Sequence, residues 1–127
     1  ARWVTPKFFS KRFDTFFFLA RAPQGQLASH DDIESTGSLW TTPADAVADG
    51  DAGRKVVVFA TRANLLKLAL FNSVDSLLEN TLKEEIVIVE PFITDNDGDV
   101  TFRIRDDAGY PLIEHTEYGG SVLKVKD

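Results

Sequence analysis

The stretch Lys11-Arg12-Phe13-Asp14-Thr15-Phe16-Phe17-Phe18-Leu19-Ala20 constrains this chain more than any other. Neighbouring residues of a strand point to opposite faces, so three consecutive phenylalanines ask for apolar cover on both sides. The run predicts a buried strand over Phe13–Arg21, with Phe16 to Phe18 in a central position. Arg12 and Asp14 flank Phe13 and, on a strand, share the face opposite to it, which predicts an ion pair at the mouth of a pocket. A guanidinium matches phosphate oxygens in a forked geometry, so Arg12 is a candidate anion contact. The plainer alternative is a salt bridge at a strand start.

The rest of the chain divides by its turn and cap signals. Pro23-Gln24-Gly25-Gln26 is a turn, and Ser29–Ser35 is a polar, acidic loop. Ser38–Thr41 reads as a short strand around Trp40. Thr42-Pro43-Ala44-Asp45 opens a short helix, with Thr42 as N-cap, Pro43 at the first helical position and Asp45 as the capping-box acid. Gly50 and Gly53 end it. Thr61 is expected to cap a helix over 62–71, and Ser73 a second over 74–81. Leu66, Leu70, Val74 and Leu77 recur at the spacing of an amphipathic seam. Beyond Glu85, two apolar runs, 85–94 and 100–105, flank Asp95-Asn96-Asp97-Gly98-Asp99, a β-hairpin by its turn chemistry. Pro91 predicts an edge or a bend in the first of these strands. A further strand is expected within Tyr110–Asp127, at about 122–125.

The bulk numbers set limits. With 127 residues the chain suits one domain with a modest core. A formal charge of −6 argues against a grip on nucleic acid through its phosphates, which needs a concentrated basic face. The absence of Cys rules out disulfides and thiolate metal sites and fits a cytoplasmic protein. No apolar stretch has the length of a membrane span, and Ala1–Pro6 does not read as a signal peptide. The absence of Met implies that an upstream piece, if only one residue, has been removed.

Five segments together resemble a known family. Arg2-Trp3-Val4-Thr5-Pro6, the run from Lys11 to Pro23, Glu34 six residues before Trp40, Trp40-Thr41-Thr42-Pro43-Ala44-Asp45-Ala46-Val47, and the helix beginning Thr61-Arg62-Ala63-Asn64 are similar, in that order, to the second half of a Nudix hydrolase. More narrowly, they look like its coenzyme A diphosphatase-like branch. The resemblance implies an α/β (α+β) fold: a partial Nudix-like mixed sheet with helices over 1–82, and a β-rich, hairpin-bearing extension over 83–127. It also implies hydrolysis of a nucleoside-diphosphate-linked substrate by metal-activated water. Mg²⁺ or Mn²⁺ would be held by the glutamates of the Nudix box. No such box is present; Glu84-Glu85, the comparable step, precedes an apolar run rather than a glycine. In the family the box precedes the Trp-x-Thr-Pro segment, so its ligands are expected upstream of Ala1 and no metal ligand is assigned here.

The site residues implied by this resemblance are Glu34 as catalytic base from the acidic loop, and Arg12, Asp14 and Trp40 as substrate contacts. On its own the chain is expected to be inert, with a homodimer or pairing with the missing N-terminal half completing it; a non-catalytic binding or assembly module is the alternative. The remaining acidic clusters read as structural. In Asp95–Asp99 the glycine falls one position before the third ligand instead of one after it, so the run does not fit a calcium loop. His115 shares a strand face with Glu117 but not with Glu114, which leaves no third ligand. His30, Asp31 and Asp32 read as surface residues.

Overall fold

A computed structural model describes residues 1–27, 29–33, 35, 37–96 and 99–117. The short strand β1 (Arg2–Val4) lies at the centre of a mixed three-stranded sheet. On one side it pairs antiparallel with β2 (Asp14–Phe16), placing Arg2 opposite Phe16, Trp3 opposite Thr15 and Val4 opposite Asp14. On the other it pairs parallel with β3 (Ile88–Val89), Arg2 opposite Ile88 and Trp3 opposite Val89. Trp3 and Val89 therefore point to one face and are buried, while Arg2, Phe16 and Ile88 form a row across the other.

This arrangement corrects the reading of the phenylalanine run. The regular strand covers only Asp14–Phe16, it is an edge rather than a central strand, and Phe18 is 85% exposed. Phe17 alone of the three packs against the core. An apolar run states that both faces favour cover; it does not state which element supplies it. Here β1 takes the central position because it has a partner on each side.

Three helices follow. In α1 (Pro43–Asp51) the Thr42 hydroxyl accepts from the Asp45 amide at 3.1 Å and donates to the Asp45 carboxylate at 2.7 Å, the cap expected from the sequence. Gly50 sits in its last turn, where a Cβ would come within 3.0 Å of Val57 and 3.1 Å of Arg62, so the close approach of the next segment requires glycine. Gly53, with φ of 69°, turns the chain out of the helix. Residues 38–41 do not form the expected strand, and Trp40 is 80% exposed.

Helix α2 (Phe59–Leu68) starts earlier than its cap signal suggested, behind Val58 and without a side-chain cap. Burial of Phe59 outweighs the capping preference of Thr61. Its inward face is Phe59, Arg62 and Ala63, whereas Leu70 and Val74 of the expected seam are exposed. Arg62 is tolerated there because its Nη1 donates to Asp51 at 2.7 Å, tying α2 to the end of α1. Helix α3 (Val74–Thr81) has the predicted bounds, with the Ser73 hydroxyl accepting from the Ser76 amide at 3.1 Å.

The second sheet is an antiparallel meander of β4 (Phe92–Asn96), β5 (Asp99–Arg103) and β6 (Glu114–Glu117). The predicted hairpin is present, with Asn96 opposite Asp99; the turn residues Asp97 and Gly98 lie outside the described residues. The single strand expected over 85–94 is instead split at Pro91, β3 joining the first sheet and β4 the second. Proline cannot donate to a ladder, and the chain changes sheets there. The strand expected at 122–125 lies outside the described residues.

One core joins these parts. Trp3, Phe59, Ala63, Val89, Phe102 and Ile104 are buried together with Ala108 and Tyr110. The Trp3 ring meets Phe59 and Tyr110 edge-on, with centroids 5.8 Å and 5.3 Å away, geometries that suit aromatic quadrupoles. The fold is thus mixed α and β.

Candidate functional site

The β1–β2 hairpin gives the first sheet two distinct ends. At the loop end, Arg12 lies before β2, not within it, and does not form the expected ion pair with Asp14. Its Nε donates to the Thr5 carbonyl at 2.9 Å and its Nη2 to Glu90 at 3.1 Å. Two of its five N–H groups are so used, and Nη1 has no hydrogen-bond partner among the described residues. Beside Glu90 a shallow depression of about 350 Å³ is walled by Pro6, Lys7, Phe8, Pro91 and Phe92. Lys11 stands 5.0 Å over the Phe13 ring. Lys7, Lys11 and Arg12 thus concentrate positive charge on one short loop of an acidic chain.

Asp14 is engaged elsewhere. Arg2 holds it in a two-pronged contact, Nε donating at 2.9 Å and Nη2 at 2.7 Å, which keeps the Asp14 carboxyl below its usual range and the guanidinium above. The Arg2 guanidinium also lies 5.3 Å from the centre of the Phe16 ring. Trp40 projects from the segment before α1. Among the described residues, neither Arg12, Asp14 nor Trp40 lines the apolar cavity beside Leu65 and Leu68 or the one beside Phe9 and Phe59. Glu34 lies outside the described residues. Next to it, His30 pairs with Asp32 at 2.9 Å, and Asp32 has a left-handed backbone with φ of 58°.

At the opposite end of the sheet, a cavity of about 280 Å³ opens between the continuation of β2, helices α2 and α3, and the approach to β3. Phe17, Leu65, Leu68 and Val87 give it apolar walls. One polar cluster lies on its wall. Lys67 pairs with Glu84 at 2.7 Å and stands 4.9 Å over the Tyr110 ring, while Asn80 donates to Glu84 at 2.9 Å. The Lys67 contact holds Glu84 below the usual carboxylate range. The Tyr110 hydroxyl accepts from Trp3 Nε1 at 2.9 Å and donates to Asn64 at 3.1 Å. Burial pushes its pKa up against the opposing effect of the Trp3 hydrogen bond.

The chain matches no protein-family model, no curated protein and no solved structure.

The side chains themselves limit the chemistry. Among the described residues no group of three or more His, Asp or Glu is placed to hold a metal ion. They do not fit a Mg²⁺ site, which takes several oxygen ligands in octahedral geometry, and no catalytic step is routed through a metal held by them. Among the described residues no helix is long and apolar enough to cross a membrane.

Sequence reading missed Arg2 as the partner of Asp14, although pairing the two motif-bearing segments as a hairpin would have brought them together. The approach of Lys67 to Tyr110 had no comparable signal, because the two residues belong to segments whose contact depends on the whole core.

Proposed function

We propose that these residues form the substrate-binding half of a Nudix-like hydrolase acting on a nucleoside-diphosphate-linked substrate, coenzyme A-like or a dinucleotide. The Mg²⁺ or Mn²⁺ ligands would belong to residues outside those described. When bound, such an ion neutralises phosphate oxygens and lowers the pKa of the attacking water. This chain would supply an anion contact at Arg12, an exposed ring at Trp40 for stacking on a base, and Glu34 as a general base.

One observation carries the reading. Two of the five segments that carry the resemblance, 2–6 and 11–23, pair as one hairpin through Arg2–Val4 and Asp14–Phe16. Their loop holds Arg12 with its guanidinium anchored on two sides and one nitrogen open. A guanidinium fixed in this way loses little freedom when a phosphate oxygen arrives.

The test compares the 127-residue chain with a longer polypeptide that includes the residues encoded before Ala1, both with Mg²⁺ and either coenzyme A or ADP-ribose. The longer polypeptide is expected to release the monophosphate products and the 127-residue chain none. Turnover by the short chain, or none by the long one, refutes the proposal.

A second reading, a non-catalytic Nudix-derived binding or assembly module, is favoured by the stacked, exposed pair Phe16 and Phe18, whose ring centres are 6.2 Å apart. Calorimetric binding of ADP-ribose by the longer polypeptide without turnover would select it.

A further inference from the structure

Three strand ends converge on Arg12. Thr5 directly follows β1; its amide donates to the Phe13 carbonyl at 2.9 Å, and its hydroxyl accepts from the Phe13 amide at 3.0 Å. These bonds close the loop that carries Arg12 and set the Thr5 carbonyl 2.9 Å from Arg12 Nε. Glu90 directly follows β3, whose Val89 is held opposite Trp3. Buried Pro91 comes next, and a proline confines the residue before it to extended backbone. The Glu90 carboxylate is thus carried by a fixed stretch of chain, where it accepts from Arg12 Nη2 at 3.1 Å. An arriving phosphate meets a guanidinium that already holds one negative charge.

We infer that Glu90 sets the charge class of the anion taken by Arg12: the singly charged phosphates of a diphosphate capped at both ends, in preference to a terminal phosphate. The inference rests on the proposed hydrolase and narrows its substrate. A terminal phosphate carries about two charges at neutral pH, whereas each phosphate of a capped diphosphate carries one. Both kinds offer oxygens to the open Nη1, so hydrogen bonding alone does not separate them. The second charge does, because Glu90 sits on the same guanidinium and like charges repel across that short span. Lys7, beside Glu90 in the depression, and Lys11, over the Phe13 ring, are both exposed. Their hydrated ammonium groups ride on flexible stems and are screened by salt, so they draw in either ligand. Glu90, held against the guanidinium itself, is the charge that discriminates at Nη1.

ADP-ribose and ADP differ in this feature, a capped against a terminal phosphate on the same nucleoside. Calorimetric binding of each to the 127-residue chain, without divalent metal, compares the unsubstituted protein with Glu90→Gln. Glutamine keeps an acceptor for Arg12 Nη2 and removes the charge. The affinity for ADP relative to ADP-ribose is expected to rise roughly 3- to 10-fold, the weight of one like charge a few ångströms away in a partly hydrated setting. Glu90→Asp keeps the charge and should keep the original ratio, which a role in packing alone would not do. With Arg12→Ala already in place, Glu90→Gln should leave the ratio unchanged, since the two residues act as one unit. A Glu90→Gln effect that is absent or equal for both ligands overturns the inference. So does the same shift in Glu90→Asp, or no binding of either ligand by the unsubstituted chain. Hydrolysis of ADP-ribose by the longer polypeptide beside any of those results leaves the functional reading standing and removes this one; the charge preference without hydrolysis does the reverse.

Discussion

Trp3 and Tyr110, 107 positions apart, are joined by a buried hydrogen bond of 2.9 Å from the indole nitrogen to the phenol oxygen. The phenol hydroxyl donates to Asn64 Oδ1 at 3.1 Å, and the Asn64 amide in turn donates to the Ala60 carbonyl at 2.8 Å. The first strand, the middle helix and the segment before the last described strand are thereby linked by three successive hydrogen bonds around one ring.

Replacing Tyr110 by Phe removes the hydroxyl and leaves the Trp3 N–H without its acceptor in the core. The expected loss is about 1–3 kcal/mol of unfolding free energy, measured by urea denaturation. The wild-type phenol also predicts an alkaline limit. Its folded pKa is raised above 10.0, so the neutral form is favoured in the native state. That contribution is intact below the ordinary tyrosine range and is lost as pH rises through the raised value. Absorbance titration at alkaline pH should show one of the two tyrosines ionising late, and Tyr110→Phe should abolish that phase.

Acid should act through Glu84. Its carboxyl is held below 4.5, chiefly by the hydrogen bond from Lys67, so the charged form is favoured on folding. The stabilisation is present above the ordinary carboxylate range and disappears as pH falls through the depressed value. Glu84→Gln should therefore flatten the acid limb of a stability–pH curve while costing little in acid itself. An unchanged acid limb would show that the pair contributes nothing to folding.

The two capped helices offer a local comparison. Ser73→Ala and Thr42→Ala each remove a hydroxyl that accepts from the third residue of its helix. Each should cost about 1 kcal/mol by denaturant unfolding. Thr61→Ala should cost much less, because Thr61 lies inside α2 rather than at its start.

For the proposed hydrolase, Arg12→Ala should lower kcat/KM on the order of 10- to 100-fold, the effect of losing one charge-assisted phosphate contact. Folding should hardly change, since the Arg12–Glu90 pair is solvent-exposed and such pairs contribute little. Arg12→Lys should recover only part of the activity, because an ammonium cannot reproduce the fork.

Legibility in the sequence followed the range of each interaction. Caps at Thr42 and Ser73 act across three residues and were readable; so was the hairpin around Asn96 and Asp99, whose turn chemistry is local. Helix α2 was misplaced at its start because Phe59 is drawn into the core by Trp3 and Phe102, which no cap signal records. The phenylalanine run signals a buried central strand, but the structure forms only Asp14–Phe16, at an exposed edge, because the central place depends on β3, which arrives more than seventy residues later. Arg12 is singled out by residue type alone, and its partners in the structure, Thr5 and Glu90, follow from the register of three strands. Asp14 was assigned to the wrong arginine for the same reason.

The crossing at Pro91 has a mechanical consequence. Strand β3 grips its neighbour through two residues only, and Pro91, two positions beyond its end, limits any lengthening of that grip. This parallel seam is accordingly the weakest line in the first sheet, whereas the meander, with longer ladders on both sides of β5, stays closed. A force or a denaturant acting on the molecule would part the seam first, baring the indole of Trp3 before the hairpin around Asn96 had begun to loosen.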